Sequence, residues 1–320
     1  MIDESELIRQ AFDGVPDNPD GLDRARSRLL DAIRTEGVRR RRRRRLALPA
    51  AATIALVVAT AVVVALVGPV GRSTAAAAEL RRLASIASSA HVPDLAEGEF
   101  LLVVSDELRP EKMQFLGADV SFTVSSRLRM QTWIAGDGSS FRRTEWISSE
   151  FASDADRRSW EEAGEPDIPR AGDVREEPSR SGGYFWVDLS GLPRDPTELL
   201  AALRSGSVVP RSPGDDEVFQ LIGDLMAQGD APPDLRAALF ESAARLEGIQ
   251  PTGEVTDPLG RDGIGLAIDG VSLRTQLVFD PETADLLAIE LYPVRADGSI
   301  GTRTSWRAFH RAKVVDHSPE

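Results

Sequence analysis

The chain has 320 residues, no cysteine and a net charge of −13, an acidic balance that argues against a nucleic-acid-binding protein. The absence of cysteine excludes disulfides, thiolate catalysis and cysteine-based zinc sites. With 42% hydrophobic residues, a chain of this length can form a sizeable core without such links.

Two short helical patterns open the chain, in "DESELIRQAF" and "DNPDGLDRARSRLLDAIRTEG", and each places apolar residues at helical spacing. Helices this short are marginal alone, so we expect their apolar stripes to bind a cytoplasmic protein partner. A partly ordered spacer before a membrane is the alternative interpretation. The candidate partner-binding residues are Leu7, Ile8, Phe12, Leu22, Leu29 and Ile33.

An unbroken arginine run ends this segment. Met1 to Arg45 contain 12 arginines and 9 acidic residues, a net of +3 that leaves −16 for the rest of the chain. A basic residue near anionic headgroups contributes about 1 kcal/mol, so we expect the run to lie on the membrane surface. No aromatic or recognition-helix pattern accompanies it, so no nucleic-acid partner is expected. The membrane-surface residues are Arg39, Arg40, Arg41, Arg42, Arg43, Arg44 and Arg45.

The stretch from Leu46 to Val67 carries no charge. At about 1.5 Å per residue it spans roughly 33 Å, enough for a hydrocarbon core of about 30 Å. A buried core helix, the alternative, is rarely apolar on all faces. Because the arginines stay in the cytoplasm, we expect a cytoplasmic segment over 1–45, a transmembrane helix over 46–70 and an extracytoplasmic domain over 71–320 of a cell-membrane protein.

The exterior part begins with a predicted helix over about 75–89 and a strand in "EFLLVVSDEL". A long hairpin follows, with Phe122, Val124 and Leu128 on one face and a turn at Asp137 and Gly138. Residues 150–183 are polar and rich in Pro and Gly, so we expect a flexible excursion there.

Three helices are predicted next, the first capped by Asp195 with Pro196 at its first position. The other two lie in "EVFQLIGDLM" and "PDLRAALFESAARLEG", whose apolar stripes are typical of core packing. Five strand patterns follow, two of them joined by a turn at Asp280 and Pro281. Strands before and after a helical block predict an α+β domain, an antiparallel sheet with helices on one face.

No pattern in the chain indicates catalysis or a metal site. His91, His310 and His317 are far apart in the sequence and lack metal-ligand spacing, and no nucleophile elbow, phosphate loop or dinucleotide fingerprint occurs. We therefore expect no enzyme, no cofactor and no metal. The five tryptophans are candidates for a pocket, although aromatics on strands usually belong to the core.

The order of the N-terminal helical segment, the arginine run, one span and a roughly 250-residue exterior resembles a family of actinobacterial single-pass membrane proteins of unknown function. The resemblance extends to "EVFQLIGDLMAQGDAPPDLRAALFESAARLEGIQ" and "LRTQLVFDPETADLLAIE". Members are often encoded beside extracytoplasmic-function sigma factors, which implies an anti-sigma-like signal transducer with a sigma factor as partner. The zinc-binding His and Cys motif of many anti-sigma domains is absent here.

The succession of exterior elements is also similar to the half-barrel of bacterial lipoprotein carriers and of periplasmic sensors that bind anti-sigma factors. That similarity rests on the element order and the Asp280–Pro281 turn. It implies a curved antiparallel sheet that takes a lipid or a protein ligand. The alternative function is therefore a membrane-tethered lipid- or lipoprotein-binding module with no signalling role.

Overall fold

The computed structural model describes residues 69–90, 93, 95–114, 120–178, 187, 189–205 and 213–317, and of 69–74 only the backbone. The predicted cytoplasmic helices, the arginine run and the predicted span up to residue 68 lie outside these residues. Within them, every helix is either too short or too polar to cross a bilayer.

The described elements alternate between helices and strands along the chain. The α-helices are α1 (Pro69–Ser88), α2 (Asp154–Glu162), α3 (Pro196–Arg204), α4 (Asp215–Met226) and α5 (Pro233–Ala243). The strands are β1 (Phe100–Gln114), β2 (Ser121–Ala135), β3 (Ser140–Phe151), β4 (Val174–Pro178), β5 (Gln250–Thr256), β6 (Asp262–Asp269), β7 (Leu273–Phe279), β8 (Leu286–Pro293), β9 (Ser305–Phe309) and β10 (Lys313–Val315).

All ten strands form one open antiparallel sheet in the order β4-β3-β2-β1-β9-β8-β7-β6-β5. The short strand β10 continues beyond β9 and pairs with the first residues of β1. The chain therefore builds the sheet in two halves, which meet where the late strand β9 pairs with the early strand β1. This α+β architecture confirms the predicted class.

One row of paired residues crosses seven strands on a single face of the sheet. Directly opposed residues of neighbouring strands share a face, so the pairing register identifies that face along its whole width. We name it the helix face, because the helical layer packs on it. From β6 to β3 the row consists of Leu266, Leu277, Ile289, Arg307, Glu107, Leu128 and Trp146.

The main core lies between the helix face of β6–β8 and helices α1, α3, α4 and α5. Leu83 of α1, Leu199 of α3 and Leu225 of α4 are fully buried there. The apolar stripes predicted for α4 and α5 are the surfaces that enter this core. Burying a leucine side chain contributes about 1.5 to 3 kcal/mol, so the helical layer is a main source of stability.

Several local predictions are confirmed by hydrogen bonds. The Asp195 carboxylate accepts from the backbone N–H groups of Thr197 and Glu198 and so caps α3. In the β7–β8 turn, Asp280 accepts from the N–H groups of Glu282 and Thr283. The β2–β3 hairpin turns at Asp137 and Gly138, as expected.

The expected excursion over 150–183 is wrong for the described part of that range. Strand β3 extends to Phe151, and α2 and the edge strand β4 follow. The Ser153 hydroxyl caps α2, and Trp160 of this helix packs 5.3 Å from the Phe151 ring. Polar composition concealed these elements, because only one side of α2 contacts the sheet.

Two glycines let α4 approach the sheet closely. A Cβ at Gly223 would lie 2.7 Å from Leu277 Cδ2 and 3.4 Å from Ile289 Cδ1. After the helix, Gly229 has a φ of +82° and a Cβ there would lie 2.5 Å from Val103 Cγ2 of β1. The end of α4 is therefore held against both halves of the sheet.

Replacing Gly223 by Val is expected to lower the free energy of unfolding by about 1 to 3 kcal/mol, because the added carbons must displace Leu277 and Ile289. Urea denaturation of the full chain, followed by tryptophan fluorescence, measures this change. Gly191→Ala is the control, since among the described residues nothing lies within 4 Å of a Cβ at that position. An unchanged unfolding midpoint for Gly223→Val would contradict the close approach.

Candidate functional site

A groove of about 560 Å³ lies on the helix face, where the strands β1–β4 and β8–β9 emerge beside α4. This volume is within the range of about 300 to 1,000 Å³ typical of ligand sites. Its lining includes eight charged side chains. They are Glu107, Arg109, Glu111, Arg142, Arg175, Glu177, Asp224 and Arg307.

The pairing between strands places further residues of the groove in two rows. These rows lie beside the row already described, which contains Arg307 and Glu107. A second row on the helix face runs across β9, β1, β2, β3 and β4 and mixes hydroxyl, apolar and cationic groups. Its members are Phe309, Ser105, Met130, Thr144 and Arg175. A third row consists of Val103, Thr132, Arg142 and Glu177. The floor of the groove is therefore polar over most of its width.

Arg307 lies between two buried carboxylates. Its guanidinium donates to Asp224 of α4, and its Nε lies 3.8 Å from Glu107 Oε1. The Ser105 hydroxyl donates to the same Glu107 oxygen at 3.3 Å. Asp224 and Glu107 are only 6% and 7% exposed. We name Asp224, Glu107 and Arg307 the acidic pole, because two acids face one cation.

The opposite side of the groove carries an excess of positive charge. Arg142 of β3 and Arg175 of β4 project from the helix face together with Glu177. The Arg175 guanidinium carbon lies 5.4 Å from the centroid of the Trp146 ring, a cation–π contact. We name Arg142, Arg175 and Glu177 the basic pole.

Two buried polar groups that line the groove lack hydrogen bonds. Neither Oε1 nor Nε2 of Gln228 has a partner among the described residues, and the same holds for Nε1 of Trp146. Gln228 is 7% exposed and Trp146 is 6% exposed. A buried polar group without a partner costs about 1 to 3 kcal/mol. Native proteins leave few buried polar groups unpaired, so two at one groove call for an explanation such as a bound polar molecule.

A second buried polar cluster, on the opposite face of the sheet, is satisfied internally. Glu290 accepts from Gln276 at 2.8 Å, from Tyr292 at 2.7 Å and from Arg303. Burial, together with the bond to Glu290, raises the pKa of Tyr292 to about 12. Because Glu290 is bonded from three sides, this cluster is structural.

The histidines predicted to be unimportant are peripheral where they are described. His310 bonds Asp106 on the opposite face at 3.1 Å, and His317 bonds Asp316 at 2.7 Å. His91 and Trp186 lie outside the described residues, as do all candidate partner-binding and membrane-surface residues. Within the described ranges, no three carboxylate or imidazole side chains converge as a metal site.

Sequence reasoning identified the tryptophans as pocket candidates but missed the rest of the groove. One usable signal was the position of polar residues at inward-facing places. Glu107 and Arg307 share the face of buried neighbours on their strands, and Asp224 interrupts the apolar stripe of α4. Buried charges of this kind are rare unless they are paired or functional.

Comparison with known proteins gives no assignment for this arrangement. No protein-family model matches the chain, and no curated protein matches it significantly.

Replacing Gln228 by Met is expected to raise the free energy of unfolding by about 1 to 3 kcal/mol, because it removes two unpaired buried polar atoms at similar volume. Gln276→Met is the matched control. Gln276 is also 7% exposed but donates to Glu290, so its loss should destabilise the protein. Urea denaturation of both variants measures whether the free energy of unfolding rises for Gln228→Met and falls for Gln276→Met. A Gln228→Met protein less stable than the wild type would contradict the unpaired state.

The acidic pole predicts a characteristic dependence of stability on pH. Burial raises the pKa of Asp224 above its ordinary value of 3.8, and Arg307 opposes the rise. The folded protein therefore holds this proton more tightly than the unfolded chain. Stability relative to Asp224→Asn should fall as the pH rises from 3.8 through the folded pKa.

Asp195→Asn provides a control of opposite sign. Backbone N–H groups of Glu198 and Thr197 lower the pKa of Asp195, so its contribution is present above 3.8 and is lost as the pH falls through the folded pKa. Denaturation midpoints relative to the wild type should therefore reveal two effects of opposite sign: the Asp195 contribution rises with pH below 3.8, and the Asp224 contribution falls with pH above 3.8. Parallel profiles would contradict the assignment of the acidic pole.

Proposed function

We propose that the chain is a single-pass, membrane-anchored regulator, an anti-sigma-like signal transducer. In this proposal the N-terminal helices hold a sigma factor at the cytoplasmic surface, and the domain beyond the membrane senses a ligand. The observation that carries the sensing role is the groove, where the buried Gln228 amide and Trp146 indole N–H lack hydrogen-bond partners among the described residues. A ligand that bonds these groups binds more tightly to the conformation in which they are accessible. Such a difference in affinity between two conformations is what allows a ligand to shift their populations.

Helix α1 supports a link between the groove and the membrane. Its described part starts at Pro69, two residues after the end of the apolar stretch at Val67. Its residues Leu80 and Leu83 lie in the same core as Leu225 of α4, the helix that also carries Asp224 of the acidic pole. A change in the position of α4 therefore acts on a core that includes α1.

The alternative function, a tethered module for lipids, requires a groove that suits an acyl chain. Here an acyl chain would contact charged side chains from β1, β3, β4, α4 and β9. Such a chain would also leave the Gln228 amide unpaired, at the usual cost of about 1 to 3 kcal/mol per group. The lining therefore favours a polar ligand.

The cytoplasmic half of the proposal is tested by changing Leu22, Leu29 and Ile33 together to Asp. The full chain, purified in mild detergent from its source cell, is expected to retain a sigma factor that mass spectrometry identifies. The triple variant should lose it, because charges on the apolar stripe cost more than the short helices can offset.

A variant with Ser27→Asp and Thr35→Asp is the control, since both positions lie on the polar side of the same helical pattern. It should retain the sigma factor. Failure of the wild-type chain to retain any sigma factor, or equal retention by the triple variant, would contradict the proposal.

A further inference from the structure

The two poles of the groove are separated by the width of several strands. Glu107 of the acidic pole is on β1, whereas Arg175 of the basic pole is on β4, three strands away in the sheet. Neighbouring strands are about 4.8 Å apart, so the poles are separated by about 14 Å. An extended peptide covers about 3.3 to 3.6 Å per residue, so about four residues bridge this distance.

The unpaired groups line the same groove as the two poles and match a peptide backbone. Gln228 lies two residues after the end of α4, next to Gly229, which contacts Val103 of β1. Trp146 lies on β3, on the other side of the groove. One residue of an extended peptide presents its N–H and C=O on the same side, a pair that a carboxamide matches with its own oxygen and nitrogen. The Trp146 indole N–H has only a donor, which suits a peptide carbonyl.

We propose that the groove binds a short peptide of about four residues with free termini, in extended form. Its ammonium group lies at Asp224 and Glu107, and its carboxylate lies at Arg142 and Arg175. The Gln228 amide bonds a backbone N–H and C=O in the middle. This inference rests on the proposed function in one respect, since it names the ligand of the sensing domain.

The opposite charge excess of the two poles determines the orientation of the peptide. The acidic pole contains two carboxylates and one guanidinium, so its net charge favours a further cation. Asp224 already accepts a hydrogen bond from Arg307 there. At the basic pole, Arg142 and Arg175 exceed Glu177 by one positive charge. Guanidinium groups bind carboxylates through planar, often bidentate contacts.

The Trp146 indole N–H is closed off from solvent and must turn to reach such a ligand. The Gln228 amide must also turn, because both of its polar atoms are closed off in the same way. Three rotatable side-chain bonds permit this turn without movement of the backbone. Because Gln228 lies just after α4, its turn changes contacts only at the edge of the helical layer. Occupancy of the groove therefore changes the contacts of Gln228, two residues after α4.

The test uses the full-length chain in detergent, immobilised and exposed to a random tetrapeptide library with free termini. Parallel libraries carry an acetyl group on the N-terminus or an amide on the C-terminus. Peptides with free termini should be retained, and each blocking group should weaken binding at least tenfold, because it removes the charge for one pole. Mass spectrometry of the retained peptides gives the comparison.

Two variants of neighbouring arginines on β3 test the basic pole. Arg142→Gln should weaken the binding of free-acid peptides about tenfold and leave that of amidated peptides unchanged. Arg143→Gln should change neither, because Arg143 lies on the opposite face of the sheet beside Glu176. If Arg142→Gln fails to fold, the comparison of free and blocked peptides on the wild-type chain tests the proposal by itself.

Retention of no peptide, or equal retention of free and blocked peptides, would overturn the peptide assignment. Preferential retention of a fatty acid added in competition would also overturn it. These failures are distinct from failure of the proposed function, which is measured by retention of the sigma factor. A chain that binds peptides as expected but retains no sigma factor would support the peptide assignment and refute the proposed role as a regulator.

Discussion

The helical layer packs on only one half of the helix face, and the groove exists because of that limit. In the row that crosses seven strands, the members under the helices are Leu266, Leu277 and Ile289. Beyond Ile289 the next members are Arg307 and Glu107. Under the helices the row is apolar, beside α4 it carries this charged pair, and further on Leu128 and Trp146 are apolar and buried again. The boundary between the core and the groove therefore falls between Ile289 and Arg307 in this row of paired residues.

Helix α4 forms that boundary and belongs to both sides of it. Its apolar stripe is buried against the sheet, and Gly223 allows the close contact. Asp224, the next residue, pairs with Arg307 of β9 and faces the groove. Breaking a buried pair by removing one partner typically costs about 3 to 5 kcal/mol. The same helix shares a core with α1, so events at the groove and at the proposed membrane connection act on one packed unit.

Local chemistry explains which parts of the fold were predictable from the sequence. The Asp195 cap and the Asp280 turn depend on hydrogen bonds within a few residues, and both were predicted. Helix α2 was missed because its support comes from elsewhere, including an Asp156 carboxylate that accepts from Thr123 at 2.7 Å. The groove was missed for the same reason. Its acidic pole forms only because β9 pairs with β1, about 200 residues earlier in the chain, a non-local choice that periodicity does not encode.

The central claim is that the groove and the partner-binding helices lie on opposite sides of a membrane. The chain has no cysteine, so a single introduced thiol reports its own location. Ser27→Cys marks the N-terminal segment, and Ala296→Cys marks an exposed loop after β8. In intact cells, a membrane-impermeant maleimide should label Ala296→Cys and should label Ser27→Cys only after lysis. Labelling of both positions, or of neither, before lysis would contradict the account.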